Sequence, residues 1–195
     1  MKKLSSSFKN MLISLTLIST VAGFSLAYMN DITLGPISEA RKAKKINAIK
    51  AVLPKVTNDP YSDKIAVAVP GISDSFDIFP GKNDNRVNSI AIATYSDQGY
   101  SGLIKLMVGL DTQGVINNIA VLEQKETPGL GTKITTEKFL QQYRGKDPGK
   151  WKLLVKKDGG QTDAITGATI SSRAFNDAVQ KAYDVYQKEK GNLIK

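Results

Sequence analysis

Leu103-Ile104-Lys105-Leu106-Met107-Val108-Gly109-Leu110 runs into Asp111-Thr112-Gln113-Gly114 and resumes as Val115-Ile116-Asn117-Asn118-Ile119-Ala120-Val121-Leu122. Ile104, Leu106, Val108 and Leu110 recur at period two, the spacing of a strand with one face in a core. Asp111 to Gly114 has the composition of a hairpin turn, so the chain folds back on itself and Val115 to Leu122 returns as the next strand. Upstream, Val87 to Tyr95 is another strand-like run, ending at the turn Ser96-Asp97-Gln98-Gly99. These runs give an antiparallel meander.

Its third strand delivers Leu122-Glu123-Gln124-Lys125-Glu126-Thr127-Pro128-Gly129-Leu130-Gly131. Pro128 fixes one backbone angle, and Gly129 and Gly131 permit positive ones, so this segment is a turn. Thr135 or Thr136 is placed to cap a helix through Phe139 and Tyr143 that stops before Gly145 and Pro148. Trp151 to Val155 reads as a further strand. After Asp158-Gly159-Gly160 comes Asp163-Ala164-Ile165-Thr166-Gly167-Ala168-Thr169. Thr166, Gly167 and Ala168 are small and leave the backbone open to a bulky partner. Ser171 and Ser172 supply hydroxyls suited to capping a helix from Ser172 to Lys188. On that helix Phe175, Val179, Ala182 and Tyr186 form one stripe for packing against the sheet. The start of such a helix is suited to an anion such as phosphate, since its first N–H groups lack partners and the dipole's positive end points outward. The fold class is α+β, an antiparallel sheet packed by helices.

The other end of the chain has a different character. Met1 to Asn10 is short and basic, with Lys2, Lys3 and Lys9, and leads into an uncharged run from Met11 to Met29. That run is about long enough to span a bilayer, which takes roughly 20 helical residues. A cleaved signal peptide is the competing reading, because Ser25-Leu26-Ala27 has small-x-small character. The length of the run favours a retained transmembrane anchor. The lysines nearest the span lie on its N-terminal side, so positive-inside puts the N-terminus in the cytoplasm and the rest across the membrane. The basic group from Arg41 onward argues the other way when a wider window is counted. Beyond Pro36, Ile46, Ile49 and Leu53 make one helical stripe that ends before Pro54. From there to Asn88, Pro60, Pro70, Gly71, Pro80 and Gly81 interrupt any long element, with Tyr61, Phe76 and Phe79 as satellite core.

The chain has 195 residues and a formal charge of +9, with no cysteine and no histidine. That removes thiolate-held clusters, disulfides, cysteine nucleophiles and imidazole ligands or bases. No acidic cluster has metal-loop spacing, so no metal site is expected. The lysines are dispersed and do not alternate with aromatics, which argues against nucleic acid as a partner. If the chain handles electrons, it needs an organic cofactor.

The motif Asp163-x-x-Thr166-Gly167-Ala168-Thr169, together with Glu126-Thr127-Pro128-Gly129-Leu130-Gly131, resembles the covalent FMN-binding subunits of membrane redox complexes. Including the anchor layout, the resemblance covers nearly the whole chain and is strongest to the G subunits of Rnf electron-transport complexes. It implies FMN joined by a phosphoester to Thr169, with Asp163, Thr166, Gly167 and Ala168 forming the motif around it and Thr127 and Leu130 near the ring. Lys156 is a candidate to stabilise reduced, anionic flavin, with an ordinary surface lysine as the competing reading. The implied organisation is a tail at 1–10, an anchor at 11–29, a juxtamembrane helix and irregular segment at 30–86, and an FMN-binding domain at 87–195. The implied function is an electron-relay subunit of an ion-translocating complex at the bacterial cell membrane. Its partners would be the other subunits, membrane lipid, and a flavin transferase that performs the attachment. A counterpart of the C subunit of a sodium-pumping NADH:quinone reductase and a non-redox anchored binding module are the alternatives.

Overall fold

A computed structural model describes residues 7–68, 75–84 and 86–194. Lys2, Lys3, Pro70 and Gly71, named above, lie outside the described residues. The chain divides into two compact units, one up to Ala43 and one from Lys44 to Lys195.

The first unit is helical. Helix α1 runs from Phe8 to Val52 without a break at Pro36, so the expected anchor and juxtamembrane helix are one element. Proline removes one backbone bond and crowds the preceding turn. On either side of the proline, the Thr33 hydroxyl donates to the Met29 carbonyl at 2.7 Å and the Ser38 hydroxyl to the Gly35 carbonyl at 2.8 Å. Leu12, Leu15, Ile18, Val21, Phe24 and Leu26 are all exposed along α1, which is long and apolar enough to cross a membrane. At about 1.5 Å rise per residue, the run from Met11 to Met29 matches the roughly 30 Å hydrocarbon core.

The second unit is built on a five-stranded antiparallel sheet in the order β1 (Ile65–Ala68), β2 (Ser75–Asn83), β3 (Arg86–Gly99), β4 (Gly102–Asp111), β5 (Ile116–Glu123). β3 and β4 pair Ile90 with Leu110 and Ile92 with Val108, and the period-two set Ile104, Leu106, Val108 and Leu110 is fully buried with Ile90 and Ile92. Burying a side chain of this kind contributes about 1.5–3 kcal/mol. Helix α3 (Thr169–Leu193) lies across that face, and its stripe of Phe175, Val179, Ala182 and Tyr186 is buried as expected. Thr94 donates to the Ala178 carbonyl at 2.8 Å and Ser96 to Asp177 at 2.6 Å, fixing the helix on β3.

Both faces of the sheet are covered, which the sequence did not make plain. The last turns of α1 place Ala48, Ile49, Val52 and the following Leu53 against Phe79, Ala91 and Met107 on the opposite side. Gly109 permits this approach, because a Cβ there would lie 2.2 Å from the Val52 carbonyl oxygen. The Ile49/Leu53 stripe is therefore satisfied within this unit.

Three expectations are corrected. The segment read as irregular before Val87 contributes β1 and β2, so the sheet-bearing unit begins earlier. Pro80 and Gly81 sit inside β2 beside a register shift at Gly81/Lys82, a place where a sheet accepts proline. Asn58 stabilises it by donating to the Pro80 carbonyl at 2.9 Å and accepting from the Lys82 N–H at 2.8 Å. Trp151 to Val155 is not a strand, since Val155 makes only an isolated bridge to Thr162 and the indole is spent on an edge contact with Tyr143 at 5.5 Å. The helix after Thr136 is short, α2 (Glu137–Leu140) continued by a tight turn through Tyr143. The Thr136 hydroxyl does not cap it and donates back to the Lys133 carbonyl at 2.7 Å.

Candidate functional site

The loop from Asp163 to Ala168 is pinned at both ends. At its start, the Asp163 N–H donates to the Gln142 side chain at 2.8 Å. At its end, the Ser172 hydroxyl donates to the Ala168 carbonyl and accepts from the Ile165 N–H, both at 3.0 Å. Between these pins Gly167 has φ of 78°, a left-handed conformation that costs any other residue strain. A Cβ at Gly167 would also come within 3.3 Å of Leu130. Helix α3 then starts at Thr169 rather than Ser172, with Ala168 at the cap position and no side-chain cap bond. Its first N–H groups have no intrahelical acceptors, so the loop from Gly167 leads directly into free donors.

The serines expected to cap the helix are used otherwise. Ser171 and Ser172 are buried, and the Ser171 hydroxyl donates to Glu126 Oε2 at 2.6 Å. Glu126 is only 4% exposed, and its Oε1 accepts the Ser101 N–H at 3.1 Å. One buried carboxylate thus staples the β3–β4 turn, the Glu126–Gly131 loop and the first turn of α3. The Thr169 hydroxyl is half-buried and makes no hydrogen bond among the described residues.

These three segments surround a cavity of about 580 Å³, within the range of small-molecule sites. Thr127, Leu130, Gly167, Ala168 and Thr169 line it, as do Tyr100, Glu126, Gly131, Lys157, Ile170 and Ser171. Tyr100 is 69%, Leu130 43% and Ile170 46% exposed, so three large apolar side chains stand in solvent around one opening. A planar aromatic ring would cover them, and an anionic tail would meet the helix start. The residues present therefore fit FMN.

The motif does not all face one way. Asp163 and Thr166 line a second cavity of about 560 Å³, with Lys133, Thr136, Lys138 and Gln142 among its walls. Lys156 lines neither cavity and pairs with Asp163, Nζ to Oδ1 at 2.7 Å. The lysine beside Thr169 is Lys157. Beneath the loop, the buried Tyr143 phenol donates to Asn176 at 2.7 Å, and burial pushes its pKa well up, so it stays a neutral donor. Glu126, Ser171, Tyr100 and Lys157 were missed as site residues. Only Glu126 carried a signal, as part of the Gly-Pro-rich loop.

Comparison with known proteins points to the same cofactor. Residues 99–184 match the FMN-binding domain family. The chain is 34% identical to the G subunit of the Na(+)-translocating ferredoxin:NAD(+) oxidoreductase complex of Acetobacterium woodii, covering 89% of this chain and 88% of that protein. It is 30% identical to the G subunit of the ion-translocating oxidoreductase complex of Aliivibrio fischeri, covering 95% and 92%. In fold it is similar to the crystal structure of the C subunit of Na(+)-translocating NADH-quinone reductase from Parabacteroides distasonis, with a TM-score of 0.56 at 21% identity, covering 78% of this chain and 92% of that one.

Proposed function

The chain belongs to the family of G subunits of ion-translocating oxidoreductase complexes, and from that premise we propose that it holds its FMN by a phosphoester to Thr169, on the outer side of the membrane. It is a membrane-anchored, electron-relay flavoprotein that works with the other subunits of its complex. FMN supplies one- and two-electron chemistry, and the protein supplies position and electrostatics. Leu130, Ile170 and Tyr100 offer the ring an apolar seat, and the first N–H groups of α3 face the phosphate.

The observation that carries the attachment is the Thr169 hydroxyl, unbonded at the lip of the cavity while the nearby Ser171 and Ser172 hydroxyls are buried and bonded. A threonine hydroxyl is a weak nucleophile, and the chain has no His or Cys to activate it. Attachment therefore falls to a separate flavin transferase that uses FAD. The Thr169 oxygen bonds to the flavin-side phosphorus, the diphosphate linkage breaks, AMP leaves, and the hydroxyl proton passes to a base on the transferase. The exposed Asp163 and Thr166, on the other side of the loop, are available for that enzyme to grip. The tether suits a domain outside the cytoplasm, where lost FMN is not replaced.

The test is to purify the full chain in detergent from a host containing the transferase. Flavin absorbance should stay with the polypeptide after denaturation, and the isolated protein should not oxidise NADH. Flavin released on denaturation contradicts the ester, and rapid NADH turnover by the protein alone contradicts its role as a relay.

A further inference from the structure

We infer that Lys157, and not its neighbour Lys156, is the cation of the flavin site, opposing the negative charge that a phosphate ester and a reduced ring bring to the cavity. The inference rests on the reading that Thr169 carries FMN. Lys156 to Asp158 form one turn of tight 3-10 helix, which has about three residues per turn, so successive side chains diverge by roughly 120°. Lys156 and Asp158 each have a salt-bridge partner outside the turn, while the charge of Lys157 acts on the neighbouring Asp158 only through space. Lys156 reaches Asp163 at 2.7 Å. Asp158 is held by Arg173 through two bonds of 2.7 and 2.8 Å, which keep its carboxyl below the ordinary range. Lys157, itself exposed, lines the cavity with Gly167, Thr169 and Ile170, and among the described residues no carboxylate lies within 4.0 Å of its ammonium.

The turn is held in place by its surroundings. The Lys156 N–H donates to the Thr162 carbonyl at 2.9 Å, and the turn closes at Gly159 with φ of 75°. Arg173 lies about one helical turn beyond Thr169, so its pair with Asp158 registers this turn against the helix that presents the threonine.

The charges around the cavity explain why a cation is needed there. Glu126 is the carboxylate lining it, and both its oxygens are already occupied by the Ser101 N–H and the Ser171 hydroxyl. A fixed negative group at the floor disfavours further negative charge above it. Lys157 is the cationic side chain lining the same walls, and it offsets that effect.

The experiment compares K157Q, K156Q and K157R with wild type, each as full chain loaded by the transferase in detergent, measuring the fraction carrying FMN and the flavin midpoint potential. In the loaded fraction of each variant, K157Q should show a more negative midpoint potential, with K156Q and K157R close to wild type in potential. A K157Q protein with the potential of wild type, or a K156Q protein whose potential shifts as much as that of K157Q, overturns the inference. Wild type without tethered FMN removes the Thr169 reading and this inference with it. Loaded wild type with unaffected K157Q strikes the inference alone.

Discussion

Asp163–Thr166 and Gly167–Ser171 are consecutive in one motif, yet they face different cavities. The first half exposes Asp163 and Thr166, is salt-bridged through Lys156 and is bordered by Lys133, Lys138 and Gln142. The second half faces apolar side chains and rests on a buried carboxylate. The positive φ at Gly167 makes the turn between them. A linear motif can therefore combine a surface for one protein to grip with a pocket for the cofactor that protein delivers, and substitutions in the two halves should fail differently.

The largest expected difference is between Thr169→Ala and Thr166→Ala. Thr169→Ala should abolish covalent FMN, read as loss of flavin fluorescence on a denaturing gel. Its thermal stability should stay within about 0.5 kcal/mol of wild type, because the lost hydroxyl makes no hydrogen bond. Thr166→Ala should retain the tether at a lower loaded fraction. A gel band of normal intensity for Thr169→Ala would erase the distinction between the halves.

Glu126→Ala comes next, because it leaves the Ser171 hydroxyl and Ser101 N–H without their acceptor under the second half. The buried Ser171 hydroxyl, left unsatisfied, costs about 1–3 kcal/mol, whereas the exposed Ser101 N–H can turn to water, so calorimetry should find the midpoint lowered by several degrees. Asp163→Ala, in the exposed half, should leave the midpoint nearly unchanged. Equal losses would mean that the two halves share one structural role.

A smaller effect is expected at the hinge. Gly167→Ala forces a side chain into a left-handed backbone and against Leu130, at a cost of about 1 kcal/mol. Urea denaturation should register that cost, and loading should slow. The smallest effect concerns acid. Arg173 holds the Asp158 carboxyl below its ordinary value of 3.8, so the pair contributes fully above that value and is lost as pH falls through the lower folded value. Amide signals of Lys156 to Gly159 should shift below about pH 4, ahead of those in the sheet. Coincident shifts would show that the turn has no separate acid response.

The meander and the α3 stripe were legible because period two and period 3.6 each repeat over several residues there. Strands β1 and β2 were not, since Pro80 and Gly81 read as breaks and the β2 bulge depends on Asn58, distant in sequence. The cover supplied by Ala48, Ile49 and Val52 needed knowledge of Gly109's packing partner. In the site, the Thr169 motif and the Glu126 loop could be read from residue types. Choosing Lys157 over Lys156 required the handedness of a three-residue turn, and the use of Ser171 and Ser172 depended on a helix that starts three residues earlier than the apolar pattern implies.

Peptide mapping by mass spectrometry of wild-type protein made with the transferase tests the central claim most directly. The expected result is FMN on the peptide containing Thr166 to Arg173, with fragment ions assigning it to Thr169. FMN on Thr166, Ser171 or Ser172, or an unmodified peptide from a fully folded protein, would contradict it.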